Sequence, residues 1–374
     1  MKICYFGTYR QGYSRNKIMI AALQKVGIEV EECHVQLWHG IQDRVEIVTG
    51  GWKRPSFWWR IVRVYFKLII KSIKLKDFDI LMVGYPGQFD VFFAKILAVI
   101  RGKPLVWDVF MSIYLVSKER KLDKKNRFTI NLIRFVENLS LQLPDLLLQD
   151  TVEYVRWFSS EYGIPDERFR IVSTGADDRI FSSRNSSRKD KKFLVLYYGT
   201  FIPNHGVMKI IQAAVLLRNE KNIYFEFIGD GPDKKSAEMY SIEHQLNNVR
   251  FLTWMQQEEL LDYIAGADIC LGAFGNTPQS LMTVQNKIYE CMAMGKPIIT
   301  GDSPALRNNL PDKTVILCSR DNPQDIAIEI LRLKRNPTQR KLLSDKAEET
   351  FRRNFSTECL GQRMKTYFSE LIKE

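Results

Sequence analysis

Lys287 and Glu290 carry the most telling chemistry in the sequence. They stand three residues apart in Thr283-Val284-Gln285-Asn286-Lys287-Ile288-Tyr289-Glu290, a spacing that puts both charges on one face of a helix. Ile288, Met292 and Ala293 fall at helical spacing, Gly295 fits the stop, and Pro297-Ile298-Ile299 opens a strand. The start of such a helix offers free N–H groups and a positive dipole end to an anion. A carboxylate one turn further in is placed to accept hydrogen bonds from a pair of sugar hydroxyls. Anion site, cation and diol acceptor together describe a pocket for a nucleotide-sugar. The competing reading is an ordinary amphipathic helix with a solvated Lys/Glu pair.

Glycine loops supply the other candidate contacts. The opening strand ends in Gly7-Thr8-Tyr9-Arg10-Gln11-Gly12-Tyr13-Ser14-Arg15-Asn16, where Gly7 and Gly12 let backbone approach a ligand and Ser14 can cap the next helix. The spacing departs from the dinucleotide GxGxxG pattern, which disfavours nicotinamide chemistry. A plain strand-to-helix turn with two surface arginines is the alternative. In the second half, Tyr198-Gly199-Thr200-Phe201-Ile202-Pro203-Asn204-His205-Gly206 links a strand to a helix, and Ile228-Gly229-Asp230-Gly231-Pro232 ends another strand in a tight turn.

Short apolar strands alternating with helical patterns must position these loops, the signature of α/β folds with parallel sheets. Strands are expected at 2–6, 29–34, 79–83, 105–107, 146–148 and 170–173, then at 193–197, 224–228, 249–252, 269–271, 297–300 and 315–317. Helices are expected near 14–26, 57–74, 89–100, 128–141 and 152–162. The polar stretch at 182–192 reads as an exposed connection. The expected organisation is two doubly wound, Rossmann-like domains, 1–180 and 193–345, with a linker at 181–192. A C-terminal helix over 346–374 could cross back to the first domain. Ligands of open α/β sheets bind at the carboxyl edges of the strands, so two such domains are expected to face each other across a ligand cleft.

A chain of 374 residues is too long for one ordinary core. Its 45% hydrophobic and 26% charged content is that of a soluble globular protein. No run approaches the ~20 apolar residues of a membrane span. Met1-Lys2-Ile3-Cys4-Tyr5-Phe6-Gly7 reads as a strand rather than a signal peptide, so cytoplasmic residence is expected. The six cysteines and four histidines are scattered, with no CxxC pair, which points to buried free thiols and no transition-metal site.

The net charge of +12 calls for an anionic partner. Arg60, Arg63, Lys67, Lys71 and Lys74 recur at intervals of three and four, one basic stripe along a helix, while Trp58, Ile61, Val62, Tyr65, Phe66, Ile69 and Ile73 fill the other faces. Such a helix suits an anionic membrane surface. A core-packed helix with a solvated basic face is the alternative. A second basic cluster, Lys118 to Arg127, lies in the same half and could read a phosphorylated acceptor. Neither stretch sits in a nucleic-acid-binding module, and no nucleic-acid partner is expected.

The motifs of the second half, taken in order, carry a resemblance. Tyr198-Gly199 with His205-Gly206, Ile228-Gly229-Asp230-Gly231-Pro232, Val249-Arg250-Phe251-Leu252 with Trp254, Ala267-Asp268-Ile269, and Asn286-Lys287-Ile288-Tyr289-Glu290 with Met294-Gly295-Lys296-Pro297-Ile298 resemble the donor-binding domain of the retaining GT-B glycosyltransferases, family 4. The first half is similar to the family's acceptor domain through its opening strand and glycine loop, and through Ile171-Val172-Ser173-Thr174-Gly175-Ala176-Asp177.

The resemblance implies a GT-B fold and a retaining, metal-independent sugar transfer with no cofactor beyond the nucleoside-diphosphate-sugar. By residue, it implies that Glu290 holds the ribose hydroxyls, that Trp254 and Met255 sit by the base, and that Thr283 and Val284 bring backbone N–H groups to the diphosphate. Gly199 with Thr200 and His205 would flank the phosphates, and Gly7 and Gly12 would close over the donor. The departures are specific. Thr200 stands where the family has an arginine, His205 where it has a lysine, Met282 in place of an upstream glutamate, and Asp108 near the place of a histidine. Lys287, Arg15 or His205 would then supply the phosphate contacts, and Asp108 would stabilise positive charge at the anomeric centre or hydrogen-bond the sugar; an N-terminal helix residue satisfied by backbone N–H groups is the competing reading of Asp108. The expected partners are a nucleotide-sugar donor, a lipid-linked or saccharide acceptor of surface-glycan assembly, and the inner face of the membrane. A non-catalytic GT-B partner subunit and a nucleotide-sugar epimerase are the alternatives.

Overall fold

β1, Lys2–Gly7, is almost wholly apolar and lies inside a sheet that a more charged strand closes at one edge. A computed structural model describes residues 1–37, 54–122, 127–188 and 192–373. Trp52 and Lys53 ahead of the basic helix, Asp123 to Asn126 of the second basic cluster and 189–191 of the expected linker lie outside the described residues.

The chain divides into two compact units, residues 1–173 with the C-terminal residues from 357, and residues 174–356. In the first, β1 is joined by β2 Glu29–His34, β3 Ile80–Val83, β4 Leu105–Asp108, β5 Leu146–Gln149 and β6 Phe169–Ile171, all parallel, in the order β2-β1-β3-β4-β5-β6. β3, β4 and β5 are fully buried, whereas β2 carries three glutamates, as suits an edge strand exposed to solvent. The chain moves one way from β1 to β2 and the other way from β2 through β5. Right-handed crossovers therefore put helix Ser14–Lys25 on one face and helices Pro55–Ile73, Asp90–Arg101 and Arg127–Gln142 on the other. Helix Thr357–Lys373 packs beside Ser14–Lys25, burying Leu360, Met364 and Phe368 among Ile3, Tyr5 and Met19.

The second unit repeats the plan with β7 Phe193–Tyr198, β8 Ile223–Ile228, β9 Val249–Leu252, β10 Ile269–Leu271, β11 Ile298–Gly301 and β12 Ile316–Cys318, in the order β12-β11-β10-β7-β8-β9. One face is covered by helices Val207–Leu216 and Pro323–Arg335, which bury Ile210, Ile211, Ile326 and Ile330. The other is covered by Gln257–Gly266 and Asn286–Ala293, with Phe351 of helix Pro337–Asn354 behind them. Residues 174–188 group with this unit, so the division falls after Ser173. The expected C-terminal helix is two helices, one in each unit. The expected α/β architecture of two doubly wound domains is the observed one.

Candidate active site

In the second unit the strand order reverses between β7 and β10, the switch point at whose carboxyl edge open α/β sheets bind ligands; here the loops after the two strands are joined by the Phe274 N–H donating to the His205 carbonyl at 2.9 Å. Those loops are Gly199–Gly206 and Gly272–Gln285, and the second leads into helix Asn286–Ala293. The switch point gathers the sequence-predicted residues Gly199, Thr200, His205, Lys287 and Glu290.

Lys287 is the centre of the arrangement. It is only 5% exposed, its Nζ has no hydrogen-bond partner among the described residues, and it lies 4.0 Å from the centre of the Tyr197 ring. Burial lowers its pKa from 10.5 to about 7, against the opposing pull of Cys291 and Glu290. A buried ammonium without an anion is costly. Gly199, at φ +138°, makes room for it: a Cβ there would stand 2.8 Å from Lys287 Nζ. Any side chain at 199 would therefore collide with the cation as well as strain the backbone.

Glu290, one turn on and partly exposed, accepts a 2.7 Å hydrogen bond at Oε2 from the Tyr198 hydroxyl. Burial raises its pKa, while Tyr198 and the Lys287 charge favour the carboxylate. Gln285 caps this helix without a side-chain hydrogen bond, so the cap residue does not occupy the leading N–H groups. Thr283 and Val284 are buried; the Thr283 hydroxyl donates to the Gln279 carbonyl, and Val284 packs into the core, which leaves only their backbone for a ligand.

His205 does not supply a phosphate-binding cation. Burial, then the neighbouring Lys287 charge, drive its pKa well below the usual value. Its Nδ1 donates to the Thr200 carbonyl at 2.6 Å, and the Tyr197 hydroxyl lies 3.0 Å from the same nitrogen. The neutral ring thus ties the loop to β7. Trp254 is half exposed just after β9, and Met255 packs partly against the core.

The residues expected from the first half are placed differently. Arg15 is fully buried and grips fully buried Asp108 through two nitrogens, Nε to Oδ2 at 2.9 Å and Nη2 to Oδ1 at 2.8 Å; Nη1 donates to the Val172 carbonyl. Each spends its charge on the other. Neither Arg15 as a phosphate contact nor Asp108 as a catalytic group has a face to offer. Gly7, at φ +127°, backs onto buried Asp90, whose Oδ2 accepts from the Thr8 N–H at 2.7 Å; a Cβ would sit 2.6 Å from that oxygen. Its glycine is required by this internal clasp. Gly12 is exposed, with open space around its Cα.

Sequence reasoning missed Arg320. Two residues past β12, it is 5% exposed and donates to the carbonyls of Asp302, Gly275 and Gly301 and to the Ser280 hydroxyl at 2.9 Å. Ser280 in turn donates to the Asn204 carbonyl at 2.7 Å, so Arg320 locks both switch-point loops to β11. The one signal was a cation directly after an apolar strand, which reads more simply as solvent-facing. Arg320→Leu, which strands these acceptors, is expected to lower stability by about 2–4 kcal/mol in denaturant unfolding.

Residues 192–336 match the profile of the family described as Glycosyl transferases group 1. The lipopolysaccharide core biosynthesis glycosyltransferase LpsD of Rhizobium meliloti is 27% identical over 172 residues, 45% of this chain and 47% of LpsD. The alignment thus spans about half the length of that curated relative. Among solved structures, sucrose-phosphate synthase of Thermosynechococcus elongatus superposes with a TM-score of 0.74 at 14% identity, covering 100% of this chain and 99% of the other. HepE of Anabaena, in complex with UDP-glucose, gives 0.69 at 15% identity over 99% and 100%. At these identities the structural likeness speaks for the fold. The chain has the GT-B fold, and its residues 192–336 are similar to the group 1 glycosyl transferases.

Proposed function

We propose that this protein is a retaining, metal-independent glycosyltransferase of family 4 that moves a sugar from a nucleoside-diphosphate-sugar to a lipid-linked or saccharide acceptor. The observation that carries the reading is Lys287, a buried amine that no described residue hydrogen-bonds, at the switch point of the donor-type domain. A diphosphate is the ligand that would complete it, with the N–H groups at the start of helix Asn286–Ala293 beside it. Glu290, held by Tyr198, would accept the two ribose hydroxyls. Trp254 and Met255 border the base.

In the reaction, the bond from the anomeric carbon to the diphosphate oxygen breaks, and its electron pair stays on the diphosphate. Lys287 and the helix start neutralise that charge as it forms. The acceptor hydroxyl adds from the same face, and its proton passes to the departing phosphate oxygen, so no protein base is required. Asp108 has no part in this scheme. The relationship to LpsD, described as acting in lipopolysaccharide core biosynthesis, and to HepE, solved with UDP-glucose, supports a glycan-assembly role and a sugar-nucleotide donor.

Calorimetric titration with UDP-, GDP- and ADP-sugars tests the reading. One donor class is expected to bind, and Glu290→Ala to weaken it by about tenfold or more, the loss of two charge-assisted hydrogen bonds. No binding by any of the three would refute the proposal. The buried state of Asp108 and the presence of Thr200 favour a second reading, a partner subunit that binds nucleotide but has lost transfer. Intact donor binding with no nucleotide release in the presence of membranes as acceptor source would select it.

A further inference from the structure

The helix Pro55–Ile73 presents three sectors rather than two. Phe57, Val64, Leu68 and Ser72 turn inward. Ile61 and Tyr65 are partly buried on the same side, and the Tyr65 hydroxyl donates to Asp90 at 2.8 Å. The basic sector runs along Arg60, Arg63, Lys67, Lys71 and Lys74, with Arg63, Lys67 and Lys74 exposed and Lys71 donating to the His34 carbonyl. Opposite the buried face lies a third stripe of Trp59, Val62, Phe66 and Ile73, with Trp59 71% and Ile73 72% exposed.

The neighbouring helices continue that stripe. Ile96, Val99 and Ile100 are exposed on helix Asp90–Arg101, Ile100 at 75%; Phe128, Leu132 and Phe135 are exposed on Arg127–Gln142, Phe128 at 68%. All three helices cover one face of the first sheet. Arg101 donates to the Ser72 carbonyl, and the Ser140 hydroxyl donates to the Gln88 carbonyl just ahead of the middle helix. The second unit also exposes apolar residues, among them Met239 and Ile242 on one helix, but no basic stripe accompanies them on that helix. Apolar patches of this extent on a soluble protein mark an interaction surface.

Charge decides what covers it. The only acidic residues on the three helices, Asp90 and Glu137, are buried, whereas the basic sector and Arg101 lie beside the apolar stripes; Lys95 and Arg134 pair with Asp145 and Glu161 of neighbouring segments. A second copy would set the basic sector of the first helix against another basic sector, and that helix carries no carboxylate. A bilayer with anionic headgroups supplies both an apolar interior and the counter-charge. Among the described residues no helix is long and apolar enough to cross a membrane.

We infer that this three-helix face of the first unit rests in the interfacial layer of an anionic phospholipid membrane. The apolar stripes enter the headgroup–acyl boundary and the basic sector lies on the phosphates. This differs from adhesion through the basic stripe alone, because part of the binding survives high salt. It is also independent of the transfer reaction, since the test requires no donor.

The test is flotation of the full chain with phosphatidylcholine vesicles, with and without phosphatidylglycerol, at low and high salt. The wild type is expected to float with the anionic vesicles and to keep a salt-resistant fraction. Val62→Ser/Phe66→Ser/Ile73→Ser and, separately, Ile96→Ser/Val99→Ser/Ile100→Ser are each expected to cut partitioning by about tenfold or more without shifting the unfolding midpoint. Arg63→Glu/Lys67→Glu should remove mainly the salt-sensitive part. Failure of the wild type to float overturns the inference. So does an effect confined to the first triple variant, which would reduce the surface to one helix. A dimer in sedimentation velocity that the same substitutions dissociate, with flotation unchanged, would assign the face to a second copy instead.

Discussion

Lys287→Met is expected to abolish nucleotide-sugar binding and, in the same protein, to raise the free energy of unfolding. The two effects share one cause. Burial holds the Lys287 amine at about pKa 7 with no carboxylate bonded to it, so the folded chain bears a desolvation cost that a bound diphosphate would offset. Replacing buried ionic groups by apolar side chains of similar volume is often stabilising, by about 1–4 kcal/mol for an ion pair, so a gain of roughly 1 kcal/mol is expected here.

The pH dependence fixes the sign. Between pH 7 and 10.5 the unfolded chain holds a proton on this amine that the folded chain does not, so wild-type stability rises with pH across that window. Below pH 7 both states are charged and the full cost is present. The advantage of Lys287→Met is therefore largest at or below pH 7 and fades towards pH 10. Donor affinity in the wild type should fall above pH 7, by up to about tenfold per unit, because the diphosphate selects the charged amine. Denaturant unfolding and calorimetry at pH 6, 7.5 and 9 read both effects. A variant that is less stable and binds donor normally would remove Lys287 from the site.

Breaking the Arg15–Asp108 pair should give the largest loss of stability in the first unit. Both side chains are fully buried and joined by two short hydrogen bonds. Arg15→Met would leave Asp108 uncompensated beside buried Asp150, whose pKa burial raises to about 7 even with the Arg15 charge opposing it. The expected cost is about 3–5 kcal/mol at pH 8. Removing the cation takes away the charge that opposes protonation of Asp150, so the folded chain holds a proton there that the unfolded one releases, and the variant should recover stability as pH falls to 5. Arg15→Met with Asp108→Leu should regain most of the loss. If Asp108→Asn instead left stability unchanged and eliminated turnover, Asp108 would act on the sugar and the structural role would be wrong.

Much of the fold was legible because parallel strands buried on both faces read as short apolar runs. β9 at Val249–Leu252 and β2 at Glu29–His34 lie where the sequence puts them. Lys287 and Glu290 were legible for a similar reason: helical periodicity fixes neighbours three apart wherever the helix sits. Partners distant in sequence were not. Nothing local to Arg15 signals that its carboxylate lies 93 residues away, and a buried arginine reads like any surface one. That burial beside a lysine keeps the His205 ring from being a cation cannot be seen in a loop sequence. The basic helix shows the limit of periodicity most clearly. The cationic stripe was evident, but which apolar stripe faced the sheet was decided by neighbours, with Val64 and Leu68 turned in and Phe66 and Ile73 turned out. Glycine was ambiguous for the same reason, since Gly7 serves an internal carboxylate and Gly12 has open space around it.

The central claim is that a nucleoside diphosphate lies at the β7–β10 switch point between Lys287 and the start of the helix that bears Glu290. A crystal structure with bound nucleotide-sugar tests it most directly. The account requires phosphate oxygens within hydrogen-bonding distance of Lys287 Nζ and both ribose hydroxyls on the Glu290 carboxylate. A nucleotide bound elsewhere, or one whose phosphates leave Lys287 as unpartnered as before, would contradict it.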